Sequence, residues 1–256
     1  MKNQIYAAIK QNASLVFVSP LSYVKSLGRK KAVDNYEKEI RERHSVRDYD
    51  DLTLTQWQID ALNKLIEEIN KETGLEFSLH THEDIFSHWI LGYGIIKNCK
   101  NYLRFAGKSS ENLLEKVGYY GEMVILKAQR LGLNTCWVGG TYRKKSVKED
   151  PSSTLVCVAS LGVGKTKGNP SRSKPLSFYY EGENVPEWFL KGMEFVSLSP
   201  SAVNQKKWLF KYLGGDKVEA ESRGKHFNEV DLGIAKLHFE LGAGKKVFGF
   251  PSIKSF

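Results

Sequence analysis

Thr154-Leu155-Val156-Cys157-Val158-Ala159-Ser160-Leu161 is apolar on both of its alternating faces. A strand with that pattern belongs inside a sheet, with helices covering it from each side. Further strands are expected at 77–80, 95–105 and 135–138. Helical periodicity surrounds them. Val33, Tyr36 and Ile40 share a face that ends near Arg43. Thr55 caps a second helix, Gln58 reaching back in a capping box, and Ile59, Leu62, Ile66 and Ile69 stripe it as far as Gly74. Leu113, Val117, Tyr120, Val124 and Leu131 line a longer helix that Gly132 closes. These elements predict a layered α+β sandwich.

The segment 165–180, rich in Gly, Pro and Ser, reads as a linker after which the architecture restarts. Pro186 opens a new helix that ends near Ser197. Tyr120-Gly121, Gly132 and Trp137-Val138-Gly139 are echoed by Leu232-Gly233, Gly244 and Val247-Phe248-Gly249. The echo predicts a second helix running into a glycine-ended strand, hence two related halves packed as an intramolecular pseudo-dimer. The expected divisions are a basic extension over 1–33, a first half over 34–180 and a shorter second half over 181–256.

Composition narrows the function. With 256 residues, 41% of them hydrophobic and 12% aromatic, the chain has ample material for a core, and disorder is excluded. No apolar run approaches the length of a bilayer span. Cys99, Cys136 and Cys157 are widely spaced in apolar surroundings and read as buried thiols of a reducing compartment, so the expected location is the cytoplasm. The net charge of +9 is scattered rather than clustered beside stacking aromatics, which fits anionic small ligands better than a polynucleotide. Residues 1–33 hold six Lys or Arg and no acid. They read as a cytoplasmic extension, an interfacial anchor or organelle presequence remaining open.

Two remote segments carry the chemistry. Arg43-His44-Ser45-Val46-Arg47 places two forked guanidiniums around a hydroxyl, a donor set matched to phosphate. Ser199-Pro200-Ser201-Ala202-Val203-Asn204, with Trp208 beyond it, is a small-residue turn. It is expected to lead into a helix whose free N–H groups, with Asn204, face an anion or a polar ring edge.

With Gly132-Leu133-Asn134-Thr135-Cys136-Trp137-Val138-Gly139-Gly140 these segments make three ordered motifs, and together they resemble the nitroreductase family of FMN-dependent oxidoreductases. The resemblance covers about residues 33–250. It implies a nitroreductase-like three-layer α/β/α sandwich in the family's single-chain, internally duplicated form, a monomer acting as its own pseudo-dimer. It further implies that Arg43, His44, Ser45 and Arg47 hold the FMN phosphate or ribityl chain, and that Pro200, Ser201, Ala202 and Asn204 meet the ring edge. Val138, Gly139 and Gly140 would form the loop near flavin N5, and Arg172 and Lys174 a late basic pair on the phosphate. Lys206-Lys207 depart from the Gln-Pro often found there. The implied activity is hydride transfer from NAD(P)H to nitroaromatic, quinone or similar acceptors, with no side chain acting as acid or base. The alternative is a flavin-binding protein for storage or redox sensing, without turnover.

Two other motifs lead elsewhere and are set aside. Leu161-Gly162-Val163-Gly164-Lys165-Thr166 imitates the end of a P-loop, but Ala159 stands where its first glycine belongs, and Gly168, Pro170 and Pro175 preclude the helix it requires. His80, His82, Glu83 and His88 lack a helical His pair or Cys ligand, and read as exposed residues rather than a metal site.

Overall fold

The computed structural model describes residues 36–86, 96–147, 152–170, 172–224 and 227–256. The basic extension, Val33, His88 and Ile95 lie outside the described residues. A short helix α1 (Glu37–Glu42) leads to α2 (Gln56–Thr73), β1 (Ser78–His80), β2 (Tyr102–Gly107) and α3 (Leu113–Arg130). The order continues with β3 (Asn134–Val138), β4 (Thr154–Gly162), β5 (Tyr180–Glu181), α4 (Glu187–Leu198), β6 (Trp208–Tyr212), β7 (Val218–Ser222) and α5 (Asn228–Ala243).

β1, β2, β4 and β3 lie side by side in that order, all antiparallel, so β4 is interior. One face of this sheet meets α2 and α3 through Leu103, Phe105, Cys157, Ala159 and Leu161. The Thr55 capping box that starts α2 is formed, its hydroxyl accepting from the Gln58 N–H while the Gln58 side chain takes the Thr55 N–H. On the other face the expected helices are absent among the described residues. Val46, Tyr49, Ile85, Phe86, Ile96, Cys99 and Val147, all from irregular segments, cover it instead. The strand expected over 95–105 begins only at Tyr102, because Asn98 turns through left-handed backbone (φ 57°) and the peptide of Lys97 pairs with the 43–50 segment.

The second sheet has three strands, β5 parallel to β6 and β6 antiparallel to β7, with α4 and α5 packed against it through Phe189, Met193, Phe210 and Phe239. Asn35–Phe256 is one compact unit. Its centre is the crossing of α3 and α5. A Cβ on Gly118 would lie 2.0 Å from the Val230 carbonyl oxygen, and one on Gly233 would lie 2.0 Å from that of Glu115. The two backbones touch directly because neither position has a side chain.

The strand expected at Val247-Phe248-Gly249 does not form. The Glu240 carboxylate takes the N–H groups of Val247 and Phe248 at 2.7 and 2.9 Å, which removes them from any ladder. The chain then runs back over α3, α2 and the start of α1. Phe250 stacks on Tyr119 at 4.0 Å, Ile253 is buried, the Glu68 carboxylate accepts from the N–H of Ser255, and Phe256 stacks on Tyr36 at 4.1 Å. Burying Ile253 contributes about 1.5–3 kcal/mol, and the partly buried Phe250 and Phe256 add to it. Deleting residues 247–256 should therefore lower the unfolding free energy by at least about 3 kcal/mol, read as a drop in the urea midpoint.

Candidate functional site

Past α1 the chain turns extended at Arg43 (ψ 119°) and is threaded along the sheet. Val46 N–H donates to Thr135 O at 3.1 Å, Lys97 N–H to Arg47 O at 2.8 Å, and Asp50 N–H to Val163 O at 2.8 Å. Extended backbone alternates its side chains. Val46 is buried against the sheet; the alternation breaks at Arg47-Asp48, both of which line a cavity, so Tyr49 is buried as well, its hydroxyl meeting Ser160 Oγ at 2.7 Å from the middle of β4. Arg47, out of phase with Val46, lines the cavity together with Ser45, whose side chain also bonds the Cys136 thiol on β3. Gly168 (φ 71°) closes over this strip, and a Cβ there would sit 2.9 Å from both His44 Cβ and Ser45 O.

The opposite wall is the turn after α4. A helix was expected to follow Ser201, but only a single 3₁₀ turn (Ala202–Asn204) forms before β6. Val203, Asn204 and Lys206 all adopt left-handed backbone, at φ 46°, 55° and 45°, which ends any helix. Such conformations persist only where neighbours enforce them. Here Asp231 on α5 accepts from Ala202 N–H at 3.0 Å and from the Gln205 amide at 3.0 Å, while the Ser201 hydroxyl accepts from Lys206 N–H at 2.9 Å. The Ala202 N–H is thus already used and is not free to face an anion.

Burial lifts the Asp231 carboxyl from its ordinary 3.8 to about 6, against the lowering effect of its Gln205 and Ala202 bonds. The folded chain therefore holds this proton more tightly than the unfolded one. Its contribution to stability is largest at low pH and is lost as pH rises from about 4 to about 6. Asp231→Asn should remove that slope. Between pH 4 and 7 the stability of the variant relative to wild type should rise by about 2–3 kcal/mol, measured by urea unfolding.

Between the two walls lies a cavity of about 570 Å³, within the range of small-molecule sites. Arg43, Arg47, Lys97 and Arg172 supply its cations, and Asp48, already bonded to Asn98 at 3.1 Å and 3.6 Å from Lys165, is its one acid. Asn204 ties the walls together by donating to Arg172 O at 3.0 Å. Lys206 is buried behind them, donating to Ser173 Oγ at 2.8 Å; burial, then the charge of Arg43, lowers its ammonium to about 8. Burial raises the Cys136 thiol, opposed by Arg47, Ser45 and Arg43 around it.

Arg43 itself is 4% exposed. Its Nε is 3.6 Å from Glu122 Oε1, too far for a hydrogen bond, and neither Nε nor Nη1 has a hydrogen-bond partner. A buried guanidinium with unused donors at the wall of a cationic cavity is the donor chemistry that a phosphate satisfies.

The cavity thus joins Arg43, His44, Ser45, Arg47, Arg172, Pro200, Ser201 and Asn204, and it does not reach Val138, Gly139, Gly140, Lys174 or Ala202. A Cβ on Gly139 would meet the Phe227 ring at 2.6 Å, and Lys174 lies 5.1 Å from the Phe178 ring centre. Sequence reading missed Lys97 and the stretch Thr166, Gly168, Asn169 and Pro170, which it took for a linker. It also missed Asp231, and it registered Lys206 only as a departure from the Gln-Pro often found there. The unusual Pro-Gly-Ser density with flanking Lys and Arg over 165–174 was the available signal for a ligand loop.

Residues 35–243 match the model of the family described as "Putative TM nitroreductase". The chain belongs to that family. Among solved structures, this nitroreductase-family chain is similar to a "putative nitroreductase" from Thermotoga maritima MSB8. That pair is 22% identical over 81% of this chain and 83% of the other, with a TM-score of 0.57, a likeness of fold. A second, from Desulfovibrio desulfuricans, is a "putative nitroreductase" in complex with FMN; it is 19% identical over 59% of this chain and 98% of that one, with a TM-score of 0.49. Comparison with curated proteins gave no match. The fold is the mixed α+β architecture of nitroreductases. No helix among the described residues is long and apolar enough to cross a membrane.

Proposed function

We propose that the chain is an FMN-dependent oxidoreductase that takes reducing equivalents from NAD(P)H and delivers them to nitroaromatic, quinone or similar acceptors in the cytoplasm. One observation carries this reading: segments about 150 residues apart in sequence meet across a single cavity whose four cations face one occupied acid. Family membership supports a flavin oxidoreductase in general, and the free, buried Cys99, Cys136 and Cys157 support a reducing compartment. When bound, FMN supplies a ring able to accept and pass on a hydride.

The residues' tasks are binding and orientation. Arg43, Arg47 and Arg172 hold the phosphate, with Ser45 and His44 adding hydrogen bonds. His44 Nδ1 already donates to Lys167 O at 3.2 Å, which fixes its ring beside the strip. Pro200, Ser201 and Asn204 border the ring from the other wall, and Val138, Gly139 and Gly140 remain candidates for its far edge. Ala202 and Lys174 contribute by shaping the turn and the loop rather than by direct contact. Preset cations and a rigid slot reduce the entropy lost on bringing the partners together.

The two halves, 34–180 and 181–256, act as the two subunits of a dimer would, so that a monomer suffices. The α3–α5 crossing through Gly118 and Gly233 supports that view. A second reading, flavin binding without turnover, is favoured by the Phe227 ring lying against Gly139. Anaerobic addition of NADH or NADPH to the yellow protein separates the two. Bleaching at 450 nm is expected; a yellow protein inert to both reductants supports storage, and a chain that takes up no FMN ends both.

A further inference from the structure

One fully buried carboxylate, that of Glu122 on α3, is met from β3, α5 and the segment after α1. Glu122 on α3 accepts from Trp137 Nε1 (β3) at 2.9 Å through Oε2. Its Oε1 lies 3.0 Å from His238 Nε2 (α5) and 3.6 Å from Arg43 Nε, just beyond α1. The other ring nitrogen, His238 Nδ1, lies 3.1 Å from Phe195 O on α4. Glu122 and His238 are both fully buried.

The donor count fixes a proton. A carbonyl oxygen only accepts, so His238 Nδ1 carries a hydrogen toward Phe195. The 3.0 Å contact between Nε2 and Oε1 then needs a second hydrogen, whichever of the two atoms bears it. Arg43, Glu122, His238 and that proton therefore hold one net positive charge between them. With His238 unable to carry the proton, Glu122 would cancel Arg43, and the charge at the cavity wall would fall to that of a neutral pair. Lys206, the other cation facing Arg43, donates to Ser173 and Ser197 rather than to Glu122. Burying three ionisable groups together is costly and stabilises little by itself.

We propose that His238 is a positioning residue for the cavity. By keeping a proton against Glu122 it leaves Arg43 a full positive charge to direct at an anionic ligand group. This rests on the reading that the cavity takes the FMN phosphate.

The test compares affinities for FMN and riboflavin, which differ by that phosphate, in wild type, His238→Gln and Glu122→Gln/His238→Gln, by flavin fluorescence quenching. In the single variant the new amide pairs with Glu122 but brings no ionisable proton, so the preference for FMN over riboflavin should fall about tenfold. In the double variant the carboxylate is gone too, nothing offsets the charge of Arg43, and the preference should return to within about threefold of wild type. A purely structural role predicts the reverse: riboflavin and FMN weakened alike, and the double variant no better than the single. Either of those results overturns the proposal. Should His238→Gln fail to fold, the double variant decides alone, since paired amides are then required to keep both fold and preference. Equal binding of FMN and riboflavin by wild type would instead sink the phosphate reading, and this inference with it.

Discussion

Replacing Arg43 and Arg47 together by Ala is expected to weaken FMN binding by well over a hundredfold while leaving riboflavin affinity within about threefold. A hydrogen bond to a charged group contributes about 1.5–3 kcal/mol, and each 1.4 kcal/mol is a factor of ten in affinity, so two lost guanidiniums account for the figure. Arg43 has the larger share of the effect for a structural reason. Arg47 is exposed to water, where screening discounts its charge, whereas Arg43 is 4% exposed with Nε and Nη1 lacking any hydrogen-bond partner. The double variant also empties the buried space beside Glu122 that the Arg43 side chain fills, and losing a packed Arg side chain destabilises through packing as well as charge. Folding must therefore be checked by thermal melting, and Arg47→Ala/Arg172→Ala serves as the second variant, because both residues line the cavity and neither pairs with Glu122. If titration by fluorescence quenching finds both double variants binding FMN as wild type does, the phosphate does not sit among these cations.

What the sequence disclosed and what it hid have separate physical causes. β4 was legible because an interior strand needs apolar residues on both faces, and α2 because Thr55, Gln58 and Gly74 mark its ends by local chemistry. The two walls of the cavity were legible as residue types: paired Arg beside Ser, and a Pro-Ser-Ala-Val-Asn turn. Their meeting was accessible only through the family resemblance, since nothing local to Arg43 specifies Asn204. The misreadings arose where a distant side chain claims a backbone group. Asp231 takes the Ala202 N–H and Glu240 those of Val247 and Phe248, and from sequence alone an expected helix start and an expected strand look unaltered. Glu122 and His238 were invisible for a related reason. On a helix each reads as an ordinary polar position until packing places both at zero exposure on one carboxylate contact.

The α3–α5 crossing makes the other large prediction. On helix propensity alone Gly233→Ala should stabilise, since Gly in a helix interior is about 0.5–1 kcal/mol worse than Ala. The geometry decides otherwise. The added methyl would lie 2.0 Å from Glu115 O and 2.8 Å from Tyr119 N, both backbone atoms of α3, so no rotamer change can relieve the contact and the helices must separate. Overpacking typically costs about 1–3 kcal/mol even where side chains can yield, so a net loss of at least about 3 kcal/mol is expected when backbone must move. Gly118→Ala, meeting Val230 O at 2.0 Å, should do the same from the other helix. The consequence reaches the cavity. Asp231, which holds the turn at Ala202, and His238, which faces Glu122, lie on either side of Gly233 along α5. Parting α5 from α3 loosens both, so Gly233→Ala should lose FMN affinity at temperatures where its far-ultraviolet circular dichroism is still that of the folded chain. A variant that melts like wild type would mean that the two backbones do not touch in solution, and the account of how the walls are held in register would fail with it.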